Sequence, residues 1–359
     1  MNVSVNRLMA GCILAEDVFS MTNRPIITSK TVLTDEHINV LKAFQIEKIE
    51  IENTQIDGNF LDELKEEDSA GLKKKEESFF DKFLLAVNQY KKEFRSWQYG
   101  VPLNIPAVRT IMLPLLEDLE QYSKEVFSLY HLSNKKEYIY QHSVAVGVIS
   151  ALIAKKMDYS KGEIVQIAMA GCLSDAGMSK IPSNLITKEE PLTEEEFEEV
   201  KRHTSYSLQM LPEHALLKKE TRLAILQHHE RLDGSGYPLG NEDNKIHPYA
   251  KVIAVSDTFH AMTSQRLYRS KQSPFKVLEK MQQDYFGKFD HVVLQALSSS
   301  IIQYTIGSTV KLSNGQRAEV LFIEGKSATR PLVKIAEDGM MLDLEKNRHL
   351  YIDEILHYS

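Results

Sequence analysis

The spacing of hydrophobic positions changes character along this chain, and the changes divide it into segments. Between Val3 and Glu52, short strand-like pieces alternate with one helical stripe. Thr34 followed by Asp35 and Glu36 predicts a helix start, with Ile38, Leu41 and Phe44 as its apolar face. Lys48-Ile49-Glu50-Ile51 alternates as a half-buried strand would, and Asn23-Arg24-Pro25 predicts a turn. From Asp57 to Ser78 charge dominates, as in Lys73-Lys74-Lys75-Glu76-Glu77, which predicts a solvated linker or an exposed helix. Helical periodicity resumes at Phe79, breaks near Val101-Pro102 and continues to about Tyr130. This stretch fits either a dimerisation helix or a connecting helix packed on its own chain.

From about Ile105 to Tyr304 the pattern is nearly all helical. Thr193-Glu194-Glu195-Glu196 is a capping box opening a helix that carries Phe197, Val200 and His203. After Tyr304 the period drops to two in Thr309–Leu312, Ala318–Ile323 and Leu332–Ile335, with a Ser313-Asn314-Gly315 turn between the first pair. The expected organisation is mainly α: a small α/β module over 1–56, a charged linker and connecting helix over 57–104, a helical domain over 105–304 and a small β domain over 305–359.

Composition narrows the classes. A hydrophobic content of 43% with 26% charged residues is ordinary for a soluble protein of 359 residues. A net charge of −7 argues against binding polymeric nucleic acid, while leaving room for a local basic pocket that takes a small phosphorylated ligand. No stretch approaches the ~20 apolar residues of a membrane span. The two cysteines, Cys12 and Cys172, stand in no metal or redox spacing, so a cytoplasmic location with buried thiols is expected.

The chemistry concentrates at Gln227-His228-His229-Glu230, which runs into Asp233-Gly234-Ser235-Gly236-Tyr237-Pro238. Adjacent side chains on a helix diverge by about 100°, so both imidazoles can face one centre only where the helix ends. The glycines that follow supply that ending. Four other polar groups fall on apolar helix faces. His142 shares a face with Val146, Ile149 and Ile153, Asp175 follows Ile164, Ala168 and Gly171, His203 follows Phe197 and Val200, and Asp257 follows Ile253. One such group is ordinarily a hydrogen-bonded core residue. Several turned inward together need cations to make their burial tolerable, and a mixed His/Asp set suits Fe, Mn, Zn or Ni better than Ca or Mg.

In order along Tyr138 to Arg269, these motifs resemble the HD-GYP branch of the HD-domain metal-dependent phosphohydrolases. The resemblance rests on His142, Ser174-Asp175-Ala176-Gly177-Met178-Ser179-Lys180-Ile181-Pro182, His203, His228-His229-Glu230, Gly236-Tyr237-Pro238, and Asp257-Thr258-Phe259 to Arg266-Leu267-Tyr268-Arg269. It implies an all-helical HD-type domain that hydrolyses cyclic di-GMP with a metal-bound hydroxide. Asp175 would bridge two divalent transition-metal ions, His203, His228 and His229 completing one and His142 and Asp257 holding the other. Tyr237, Arg266 and Arg269 would touch the ligand.

The chain also departs from that pattern. Ser174 replaces the histidine of the name-giving pair, and a hydroxyl is a poor substitute for an imidazole. Tyr138 stands where three-metal members have a glutamate, Met178 replaces a phosphate-facing lysine, with Lys180 nearby as a candidate catalytic cation, and Thr204 replaces a proline. His260 replaces an acidic residue and lies three positions after Asp257, within reach of the same site. Two functions follow: a phosphodiesterase whose second metal is weak or absent, or a cyclic-dinucleotide sensor or protein-interaction module without turnover. An HD-type hydrolase of another phosphate ester is a third reading.

Overall fold

The structure is a computed structural model and describes residues 1–19, 25–44, 46–52, 78–117, 119, 121–212, 216–265, 272–283, 286–303, 305–323 and 329–357. The turn expected at Asn23-Arg24 and nearly all of the charged stretch before Ser78 lie outside these residues. The amino-terminal elements are β1 (Asn2–Ser4), β2 (Val18–Phe19), β3 (Pro25–Ile27), α1 (Asp35–Ala43) and β4 (Lys48–Glu50). β1 pairs antiparallel with β4, Val3 opposite Ile49, and β2 pairs with β3, Val18 opposite Ile27. Their core contains Val3, Val5, Leu8, Leu14, Ile38, Leu41, Ile49 and Ile51.

Helix α1 starts where Thr34 predicts: its hydroxyl accepts the His37 N–H at 3.3 Å, and His37 Nδ1 accepts the Thr34 N–H at 3.2 Å. Phe44 corrects the expected stripe. The helix has ended at Ala43, so Phe44 leaves the apolar face and stands exposed.

The helical part runs through α2 (Phe79–Gln98), α3 (Ile105–Leu116), α4 (Ser123–Ser128), α5 (Tyr138–Lys156), α6 (Lys161–Leu173), α7 (Ser183–Ile186), α8 (Glu194–Lys201), α9 (His203–Met210), α10 (Lys219–Gln227), α11 (Pro248–Thr263), α12 (Pro274–Gln283) and α13 (His291–Gln303). Helix α2 turns Phe79, Phe83, Tyr90, Phe94 and Trp97 into the core of its own chain, against α3 and α5. The face that could have served a dimer is therefore covered intramolecularly. Tyr90 meets Trp97 edge to face at 5.5 Å and donates from its hydroxyl to the Cys172 carbonyl at 3.0 Å, anchoring the end of α6.

Helices α5 and α6 form the central pair, and small residues let them approach. A Cβ at Gly147 would lie 2.7 Å from Met112 Cε and 2.9 Å from the Ala168 carbonyl oxygen, and one at Gly171 would lie 3.0 Å from the Val146 oxygen. Helix α11 packs across α5 and brings Asp257 over the amino-terminal end of that helix.

The carboxy-terminal sheet comprises β5 (Thr309–Leu312), β6 (Arg317–Phe322), β7 (Leu332–Ile335), β8 (Met341–Asp343) and β9 (Ile352–His357), in the antiparallel order β8-β7-β6-β5-β9. Arg330 ties the loop before β7 to α12 by gripping both carboxylate oxygens of Glu279 from Nη2, at 2.7 and 2.9 Å.

The close approach of α5 and α6 makes a specific prediction. Gly147→Ala should cost about 1–3 kcal/mol in equilibrium denaturation, the usual penalty of overpacking, because the Ala168 backbone cannot step aside. Unchanged stability would show that the helices are more loosely apposed than described.

Candidate metal centre

Each polar group singled out in the sequence sits where a helix starts or stops, except His142 and Asp257, which project from helix interiors. Helix α6 ends at Leu173, and the chain turns through Ser174 and Asp175. Ser207 of α9 braces that turn: its hydroxyl donates to the Ser174 carbonyl at 2.6 Å and accepts the Gly177 N–H at 2.7 Å. No side chain fits at 177, since a Cβ there would lie 2.1 Å from the His203 carbonyl oxygen.

His203 opens α9 and is not on the helix opened by the Thr193 capping box, because the chain breaks at Arg202. Phe197 of α8 consequently remains 44% exposed instead of entering the core. His228 caps the end of α10 and His229 follows it, so the two imidazoles escape helical divergence and lie with ring centroids 4.0 Å apart.

The backbone selects the useful nitrogens. His203 Nδ1–H donates to the Val200 carbonyl at 2.7 Å, and His228 Nδ1–H donates to the Ile225 carbonyl at 2.8 Å. Each ring thereby turns its Nε2 toward Asp175, where the distances to Oδ1 are 3.2 and 3.7 Å; Nε2 donates to the carboxylate while it carries a proton and offers a lone pair to a metal ion once that proton is displaced. The two Nε2 atoms are only 3.3 Å apart, an arrangement that a cation between them would relieve. Donor atoms of Asp175, His203, His228 and His229 all lie within 4.8 Å of one another, and those of His142, Asp175 and Asp257 form a second such set. The donor chemistry fits divalent metal ions.

Ionisation favours the same use. Burial pushes the Asp175 carboxyl up, but hydrogen bonds from His203 and His228 hold it well below the usual carboxylate range. Burial likewise raises Asp257, and the His142 hydrogen bond outweighs it. Burial and then the neighbouring His228 keep His229 well below its ordinary value, hence neutral with a lone pair to offer. Burial would lower His203, but Asp175 raises it.

The second set is differently built. His142 Nε2 lies 2.9 Å from Asp257 Oδ1 and 3.5 Å from Asp175 Oδ2, so Asp175 presents one oxygen to each set. The other nitrogen of His142 lies 3.2 Å from the Tyr138 hydroxyl and 2.9 Å from His260 Nδ1, while His260 Nε2 lies 3.2 Å from the Ser264 hydroxyl. Ser174 takes no part: its buried hydroxyl donates back to the Gly171 carbonyl at 2.8 Å.

Glu230 shapes the turn beside the centre, a role its sequence position did not disclose. One of its oxygens accepts the Leu239 N–H at 2.8 Å and the other the Asn241 N–H at 2.9 Å. Gly236 passes so close that a Cβ would lie 2.4 Å from the His229 carbonyl oxygen. Tyr237 then rests 4.7 Å from the His229 ring, its phenol pushed up by burial and by the Asp257 and Asp175 charges, and therefore protonated. Lys201 was also missed. Its ammonium lies 5.6 Å from the Tyr237 ring and 4.9 Å from Phe197.

Lys180 is not brought to this cluster. Its ammonium donates to the Trp97 carbonyl at 2.6 Å, because the short helical turn over Ala176–Lys180 carries it toward α2. Met178 packs against the hydrophobic core. Arg266 and Arg269 lie outside the described residues.

Helices that converge imidazoles and carboxylates in this way build a site whose donors suit divalent metal ions. Residues 130–292 match the family described as the HD domain. The chain is 29% identical over 242 residues to a cyclic di-GMP phosphodiesterase of Pseudomonas aeruginosa, an alignment covering 67% of this chain and 58% of that protein. It is 33% identical over 175 residues to a cyclic di-GMP phosphodiesterase of Thermotoga maritima, covering 46% and 47% respectively. It is 30% identical over 167 residues to the 3'3'-cGAMP-specific phosphodiesterase 3 of Vibrio cholerae, covering 46% and 36%. The chain thus spans about half the length of the curated relatives it matches. Residues 130–292 are therefore similar to the HD domain, in a chain whose relatives are named as cyclic-dinucleotide phosphodiesterases.

Because Asp175 serves both sets, Asp175→Asn should weaken divalent-metal retention by more than about 100-fold, beyond the 10–100-fold typical of losing an outer partner. Metal content after dialysis measures this. Wild-type content in the variant would mean that Asp175 is not a ligand.

Proposed function

We propose that this chain is a cyclic di-GMP phosphodiesterase of the HD-GYP type, working with two divalent transition-metal ions among Fe, Mn, Zn and Ni. The observation that carries the reading is the division of Asp175, with Oδ1 toward His203 and His228 and Oδ2 toward His142. His203, His228 and His229 would complete one position, and His142 and Asp257 would hold the other. Such ions supply Lewis acidity, lowering the pKa of water and offsetting charge on a phosphodiester and its leaving oxygen.

The residues around them have separable tasks. The Val200 and Ile225 carbonyls hold His203 and His228 in the tautomer that keeps their Nε2 atoms available. Tyr237, protonated and beside His229, is placed to donate a hydrogen bond to a phosphate oxygen. Arg266 and Arg269 are assigned to the ligand's phosphates on the sequence motif. Lys180 is given no step.

The binding-only reading is less well supported, since both carboxylates and four imidazoles converge and the relatives are named as phosphodiesterases. The reading places the protein in the cytoplasm. This agrees with two buried cysteines, and no helix among the described residues is long and apolar enough to cross a membrane.

Purified full chain with Mn²⁺ should convert cyclic di-GMP to linear dinucleotide or mononucleotide on chromatography, with 3'3'-cGAMP as the competing substrate. Cleavage of 3'3'-cGAMP alone would move the assignment to that nucleotide, and cleavage of neither would contradict it. Tyr237→Phe should raise KM roughly 10- to 100-fold, the value of one hydrogen bond to a charged group. An unchanged KM would remove Tyr237 from the ligand's contacts.

A further inference from the structure

The two halves of the centre are unequal in donors and in charge. The first has four protein donors from Asp175, His203, His228 and His229. The second has three, and it shares Asp175 with the first. Among the described residues, the neighbours that could complete the second half are committed elsewhere: Ser174 to the Gly171 carbonyl, and the Tyr138 hydroxyl to the far nitrogen of His142. His260 also stands behind His142, not at the ligand position. Within the two sets the carboxylates are Asp175 and Asp257 alone. A first divalent ion balances those two negative charges, whereas a second would leave two positive charges uncompensated in a buried site.

We infer that the centre loads in order: the first half binds its ion on the protein alone, and the second half takes an ion only when a phosphate oxygen arrives as the missing ligand and counter-charge. This rests on the metal-centre reading and goes beyond it, by making the phosphate group of the substrate part of the second site. His260 is a positioning residue in this scheme. Its contact with His142 Nδ1 at 2.9 Å keeps His142 Nε2 turned toward Asp257 and Asp175.

Ions per subunit are counted by equilibrium dialysis of the full chain with Mn²⁺, with and without inorganic phosphate, and electron paramagnetic resonance reports spin coupling between paired ions. The expected result is one uncoupled ion without phosphate and two coupled ions with it. His260→Ala should weaken the phosphate-dependent ion by about 10- to 100-fold and leave the first unchanged, with partial rescue by His260→Asn. Ser174→His, which adds a donor but no negative charge, should tighten the second ion while leaving it dependent on phosphate. Two ions in the native chain without phosphate, or a single ion with it, would overturn ordered loading while leaving the metal centre standing. No ion under either condition would overturn both.

Discussion

The helical domain depends on holding one ionised carboxylate, that of Asp175, in a largely dehydrated interior. A buried charge without partners costs several kcal/mol, and it is tolerated only where other groups compensate it. Here the compensation comes from His203 and His228 on one oxygen and His142 on the other. Each partner must therefore be delivered by a different helix. The end of α6, the start of α9, the end of α10 and the first turns of α5 meet at one place. The absent side chain at Gly177 and the Ser207 hydroxyl keep the Asp175 turn close enough to α9 for that meeting to occur.

Much of this was legible from side-chain periodicity. The His228-His229 pair could face one centre only at a helix end, and α10 ends at Gln227. His142, Asp175, His203 and Asp257 were visible as polar interruptions of apolar faces, and the structure brings them together with the pair. Less legible were features decided by where a helix breaks. The break at Arg202 put His203 on a new helix and left Phe197 in solvent, and the end of α1 at Ala43 exposed Phe44. Strands β8 and β9 went unread because their pairing is set by β7 and β5, more than by alternation of their own. Lys180 is near Asp175 in sequence but is turned to Trp97, since proximity along a chain says nothing about direction after a tight turn.

The departures at Ser174 and His260 acquire a common meaning in three dimensions. Ser174 does not replace the donor it lacks, because its hydroxyl satisfies the Gly171 carbonyl at the end of α6. His260 adds no negative charge, and it supports His142 from behind. Both residues lie on the His142 side of the centre. Four donors, from Asp175, His203, His228 and His229, stay together whatever happens in the other half.

The central claim is that Asp175, His203, His228 and His229 surround one divalent ion. Crystals of the full chain soaked in Mn²⁺ and measured at the manganese absorption edge test it most directly. The account predicts an anomalous peak within ~2.0–2.3 Å of Asp175 Oδ1, His203 Nε2, His228 Nε2 and a nitrogen of His229, near the spacing of first-row metals to nitrogen and oxygen. A peak elsewhere, or none at that position with the ion present in excess, would contradict it.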